Sequence, residues 1–153
     1  MKPFRYRLQL MMELRERARD TALESYAKAL QSRLAQQNVS EALENRIMTM
    51  SRQIQDLGQQ RFPASMHSIY YGSMDETKQK LKQSNAMLIE FRSVEDERRT
   101  EYLATKSRFD ALEKLRDRKR DEHFSHEVKK EEKMLEDLVN GRRSFHENLT
   151  QEN

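Results

Sequence analysis

Apolar side chains fall on two heptad runs in the first third of the chain, Leu23, Ala27, Leu30 and Leu34, then Leu43, Ile47, Met50, Ile54 and Leu57. Alternating steps of four and three place each run on one stripe of an α-helix, the spacing of a coiled-coil seam. Between them Ala35, Val39, Leu43 and Ile47 advance by fours, which predicts a local unwinding of the supercoil, and Asn38-Val39-Ser40-Glu41 could restart a helix with Asn38 as cap. A kink or stutter fits this better than a domain boundary. No Gly or Pro interrupts residues 8–57, and Leu, Ala, Glu, Gln, Arg and Met dominate. These residues lose little in a helix, so one helix over about 5–58 is predicted.

Residues 58–63 carry Gly58 and Pro63, which can close one helix and open another, so the chain is expected to reverse here. Ser73 with Glu76 forms a competing capping box. Either Pro63 opens the second helix with Gly72 a weak point inside it, or residues 66–71 form a short connector and the long helix starts at Ser73. The boundaries adopted are a turn or short connector over about 59–73, helix 2 over about 74–140 and a frayed acidic tail over 141–153. Leu81, Leu88, Phe91, Tyr102, Phe109 and Leu112 keep a heptad frame in helix 2, with Glu95 and Arg98 at intervening seam positions. Phe124, Val128, Leu135, Leu138, Phe145 and Leu149 extend the stripe, and Gly141 is a possible fraying point.

Pairs at i, i+4 such as Glu13 with Arg17, Glu76 with Lys80, Glu95 with Arg99 and Asp110 with Lys114 each add only about 0.2–0.5 kcal/mol. Pairing of the two stripes must supply the rest. A parallel dimer would have to accommodate the Gly58 and Pro63 break, whereas an antiparallel hairpin buries both stripes within one chain. The expectation is therefore all-α: a long antiparallel two-helix coiled-coil hairpin, a single domain, monomeric alone.

Charge sharpens this picture. The 153 residues carry 29 basic and 26 acidic side chains, so net charge alone does not point to nucleic acid. Their distribution is uneven: residues 1–20 and 106–120 are each net basic, and the chain from Asp121 onward is net acidic. A reversal near residue 63 would place 106–120 opposite 6–20 and bring both basic blocks to one end. Such an end is self-repulsive unless solvated or met by an acidic partner. The plain alternative is a solvated helix face.

Two motifs favour the partner. Phe4-Arg5-Tyr6-Arg7-Leu8-Gln9 runs into Met12-Glu13-Leu14-Arg15-Glu16-Arg17-Ala18-Arg19-Asp20; Leu112-Glu113-Lys114-Leu115-Arg116-Asp117-Arg118-Lys119-Arg120 is followed by Glu127-Val128-Lys129-Lys130-Glu131-Glu132-Lys133-Met134-Leu135-Glu136-Asp137-Leu138. In order, spacing and total length these resemble the opening and closing motifs of the flagellar export protein FliJ family, with YscO-type injectisome stalk proteins as cousins. Residues 66–71 match the family's middle only loosely.

The resemblance implies a non-enzymatic cytoplasmic component of the flagellar type III export apparatus, peripherally associated at the inner membrane and similar in fold to the gamma stalk of rotary ATPases. It implies three partners: the centre of the hexameric export ATPase, whose assembly and activity it promotes, the cytoplasmic domain of the export-gate membrane protein, and export chaperones. On this reading Arg5, Arg7, Arg15 and Arg17, with Arg116, Arg118, Lys119 and Arg120, face acidic loops of the ring. Leu8, Leu14, Leu112 and Leu115 hold the hairpin together, and Tyr70 and Tyr71 at the tip are a possible export-gate contact. A generic coiled-coil scaffold or tether is the alternative.

Other chemistry finds little support. His123 and His126, with Glu122 and Glu127 adjacent, offer metal ligands on paper, but polar side chains on a solvated helix face account for them better, and no metal or cofactor is expected. No phosphate loop, nucleophile elbow or metalloprotease motif occurs. Zero cysteines leave no disulfide, and the lack of about 18 uninterrupted apolar residues argues against membrane insertion. Interleaved Asp110, Glu113, Asp117 and Asp121 argue against nucleic acid as a partner of the second basic block. The nine methionines are expected to pack the core.

Overall fold

The computed structural model describes the backbone of residues 2–60 and 63–151 and the side chains of residues 2–60 and 63–143. Two helices, α1 over Gln9–Gly58 and α2 over Ala64–Gln151, pack antiparallel as a coiled-coil hairpin, and no strand occurs among the described residues. Phe145 and Leu149 of the expected stripe lie outside the described side chains.

The end of α1 is tightened by bonds from the Gln59 and Gln60 amides to the carbonyls of Asp56 and Leu57, three residues back. Pro63 then starts α2: its carbonyl accepts from the amides of Met66 and His67, and as proline it has no amide proton of its own to satisfy. The connector expected over 59–73 is thus replaced by helix from Ala64, and of the two possible starts Pro63 prevails over the capping box. Ser73 lies inside α2, where its carbonyl accepts a 2.8 Å bond from the Thr77 hydroxyl. Helix also continues past Gly141 to Gln151, where a frayed tail is expected.

Packing divides the chain into two units, Ala18–Thr105 and a second that joins Met1–Arg17 to Lys106–Asn153. In the first, buried and half-buried positions of α1 recur every seven residues, at Tyr26, Arg33, Ser40, Ile47 and Ile54 and at Ala22, Ala29, Gln36, Leu43, Met50 and Leu57. Leu81, Leu88, Phe91 and Tyr102 of α2 face them, together with Thr77, Ser84 and Glu95. Arg33 meets Glu95 and Tyr26 stacks on Tyr102, pairs symmetric about position 64 and so consistent with a reversal near 63.

Two sequence expectations change here. The run Leu23, Ala27, Leu30 and Leu34 is not the seam, since Leu23 and Leu34 are 43% and 44% exposed and Ala27 is exposed as well. The stutter near Asn38 vanishes with it, because α1 keeps one seven-residue frame from Ala22 to Leu57. Polar side chains fill the frame where apolar ones were sought. On α2, Glu95 takes its expected seam position, whereas Arg98 is exposed and pairs with Glu101.

The seam's polar groups satisfy one another. The hydroxyls of Ser40 and Ser84, both buried, lie 2.7 Å apart, and the Gln36 amide donates to the Ser84 hydroxyl at 2.7 Å and to its carbonyl at 3.3 Å. Arg33 forks onto Glu95 through Nε at 2.6 Å and Nη2 at 3.4 Å, which holds the guanidinium firmly protonated, while its Nη1 donates to Gln37. Glu95 therefore reaches across the hairpin, where a bond along its own helix to Arg99 is expected. Glu76 and Lys80 do form their expected pair, at 2.7 Å.

Ser84→Ala should destabilise the protein by about 1–2 kcal/mol in urea unfolding, because it leaves the Ser40 hydroxyl and the Gln36 amide short of a partner. Adding Ser40→Ala should recover part of that loss; a single variant as stable as the parent would contradict the account. Gly72 has no positive φ, and a Cβ there would meet nothing within 4 Å. Gly72→Ala should therefore stabilise α2 by about 0.5–1 kcal/mol, seen as a higher urea midpoint.

Candidate protein-docking site

The Phe4-Arg5-Tyr6-Arg7-Leu8 motif is not helical. Phe4, Tyr6 and Leu8 are half-buried while Arg5 and Arg7 are exposed; Arg7 and Leu8 form a turn closed by the Gln9 amide on the Tyr6 carbonyl at 3.2 Å, and α1 begins only at Gln9 rather than near residue 5. Residues 2–8 form an arm against α2. The Tyr6 hydroxyl donates to the Leu112 carbonyl at 3.1 Å, and the Phe4 ring sits 5.7 Å from the His123 imidazole and 6.4 Å from Tyr6. His123 Nε2 donates to the Lys2 carbonyl at 2.9 Å, and the Lys2 amide donates to Glu127 Oε2 at 3.1 Å. Glu127, at 8% exposure, is the arm's anchor.

Anchoring shows in its acidity. The Lys2 N–H holds the Glu127 carboxyl below its ordinary value against the opposing effect of burial, helped by the positive charge of Lys130. Lys119 likewise lowers Glu122 by a 2.7 Å bond, with Arg118 adding its charge. The four residues considered as metal ligands thus include three already engaged, Glu122, His123 and Glu127. No group of three or more ligating side chains that could hold a metal occurs among the described residues.

The unit brings the two basic blocks together, with Arg116 against the sulfur of buried Met12 and Tyr6 on Leu112. Their cations are in different electrostatic states. Arg116 pairs with Asp117 and Glu113, Arg118 and Lys119 with Glu122, and Arg120 with Asp117 and Asp121. Arg5, Arg7, Arg15 and Arg17 are exposed, and no carboxylate among the described residues pairs with them. Of the eight cations expected to dock, the free ones are therefore those of the N-terminal side; Lys106, Arg108 and Lys114 of the second block are exposed as well, and no carboxylate among the described residues pairs with them.

Of the residues expected to hold this end together, Leu8 and Leu112 are half-buried, but Leu14 is 56% exposed. Met12 occupies the seam, and two residues further along, about 200° around the helix, Leu14 points away from it. Leu115, 37% exposed, edges a groove of about 350 Å³ lined also by Phe4, Arg5, Tyr6, Arg7, Leu8 and Lys119. A second groove of about 320 Å³ runs past Lys2, Pro3, Phe4, Arg120, His123, Phe124 and Glu127. In the other unit, Tyr70 is half-buried on the seam frame, whereas Tyr71 stacks on His67 and is 53% exposed, with exposed Met66 and Ile69 nearby in sequence.

The model of the flagellar FliJ protein family matches residues 4–148. The chain belongs to the FliJ family. No curated protein and no solved structure matches it. As a FliJ-family chain it is a component of the flagellar export apparatus, in a family that is non-catalytic. No helix among its described residues is long and apolar enough to cross a membrane.

The alternation in residues 4–8 was the available signal for the FliJ-family arm. Glu127 and His123 gave none, since both bind backbone atoms of Lys2. Because the folded-state value of Glu127 lies below its unfolded value, its contribution is present at neutral pH and is lost as pH falls through the depressed folded value. Nuclear Overhauser contacts between Phe4 and His123 should persist at neutral pH and weaken only once the pH falls below the ordinary glutamate range. In Glu127→Gln they should be weak throughout, and equal acid sensitivity in both proteins would show that another group holds the arm.

Proposed function

We propose that the unit built from Met1–Arg17 and Lys106–Asn153 docks in the centre of the hexameric flagellar export ATPase and promotes its assembly and activity. One observation carries the reading: the two motif-bearing basic segments, about a hundred residues apart in sequence, pack together, with Arg116 on Met12. Arg5, Arg7, Arg15 and Arg17 offer unpaired cations, and Arg116, Arg118, Lys119 and Arg120 offer cations shared with carboxylates of their own helix. Acidic loops of the ring are the complement. Charge matching of this kind chiefly sets specificity and speeds encounter, which suits a contact that forms and releases.

The rest of the reading follows from the family. The protein works in the cytoplasm, peripherally associated with the export apparatus at the inner membrane, and meets export chaperones and the cytoplasmic domain of the export gate. At the hairpin tip Tyr71, with Ile69 and Met66, is the better gate contact than Tyr70, which the seam half buries.

Arg5→Glu combined with Arg7→Glu should lower ATPase stimulation at least about tenfold at roughly 0.15 M salt while leaving the helical circular dichroism unchanged. Arg116→Glu with Arg118→Glu and Arg120→Glu should also abolish stimulation. Full stimulation by both sets would remove the docking assignment, and failure of the parent chain to capture the ATPase in a pull-down would leave a coiled-coil scaffold.

A further inference from the structure

We propose that the groove between the arm and α2 receives an acidic segment of the partner protein, one that presents a bulky apolar side chain flanked by carboxylates. The proposal rests on the docking reading above and specifies which chemistry of the partner is recognised. Its floor is Phe4, Tyr6, Leu8 and Leu115, its rim is Arg5, Arg7 and Lys119, and no carboxylate lines it. At about 350 Å³ it has room for a large side chain.

The two features are linked by the arm's alternation. Anchoring Phe4, Tyr6 and Leu8 inward leaves Arg5 and Arg7 outward and unpaired among the described residues, so an anion that approaches them meets apolar surface beside it. Lys119 contributes less, since Glu122 already holds it at 2.7 Å. A phosphate backbone or a lipid headgroup would use the rim and leave the floor wet; an acidic, apolar polypeptide uses both. The neighbouring groove differs because Glu127 lines it and would repel an anion.

The test uses the full chain and a fluorescein-labelled peptide in which single leucines alternate with pairs of glutamates. It should bind the parent, and replacing its leucines by alanine, or Leu115 by Gln in the protein, should each weaken binding about tenfold. Arg5→Gln with Arg7→Gln should reduce the dependence on salt. Equal binding of the alanine peptide, unchanged binding by Leu115→Gln with retained helicity, or displacement of the peptide by duplex DNA at lower concentration would each overturn the proposal. Capture of the hexameric ATPase separates the two readings: a parent that captures it alongside an equally competent Leu115→Gln variant sinks the groove alone. A parent that does not capture it sinks the docking reading, and the peptide then decides the groove.

Discussion

Arg33 and Glu95 meet at 2.6 Å across the hairpin, and sliding α2 by one heptad in either direction would separate them together with Ser40 and Ser84. A purely apolar seam tolerates such a slide, because one leucine covers another about as well as the next. Here apolar burial is thin: among the described residues the buried apolar side chains are Met12, Ala22, Met50, Leu88 and Phe109. A buried polar group left without a partner costs about 1–3 kcal/mol, so the in-register arrangement stands well apart from its neighbours. Polar layers of this kind are the best-attested device for fixing coiled-coil register.

Within the unit that contains both basic segments, the dense charge of residues 112–123 has a local resolution. Glu113, Asp117, Asp121 and Glu122 lie one, three or four positions from the cations they neutralise. Each exposed pair contributes little to stability, but together they keep a cationic helix from repelling itself. They also blunt its attraction for a phosphate backbone. Uncompensated cations sit on the arm and the first turns of α1, with Arg5 and Arg7 beside an apolar surface that α2 helps to form, and at Lys106, Arg108 and Lys114 of α2.

The antiparallel hairpin was legible in the sequence because Leu81, Leu88, Phe91, Tyr102, Phe109 and Leu112 keep one frame and because Gly58 and Pro63 break the chain where it reverses. The first seam run was misplaced for a definite reason. Arg33, Gln36 and Ser40 occupy seam positions, so a search for apolar periodicity followed Leu23 and Leu34 onto an exposed face. Leu14 was misplaced in the same way, two residues from the true seam residue Met12. Gly72 pointed to a helix boundary, yet it costs α2 too little to stop a helix flanked by good formers. Among the docking candidates, residue identities located the cations, but which of them are free depends on carboxylate geometry that spacing alone does not give.

Leaving the helix before Gln9 is what gives the arm its two-sided character. Were residues 4–8 helical, successive side chains would turn by about 100°, putting Phe4 and Leu8 near one face and Tyr6 nearly opposite, with Arg5 and Arg7 about 200° apart. No such segment could lay three apolar residues on α2 and hold two cations at one rim. The non-helical arm, which turns at Arg7 and Leu8, does both, and it is tied independently by the Tyr6 hydroxyl on the Leu112 carbonyl and by the Lys2 amide on Glu127. The Leu112 bond takes no side chain from the cationic block of α2, so the arm is secured there without drawing on the charges that a partner would meet.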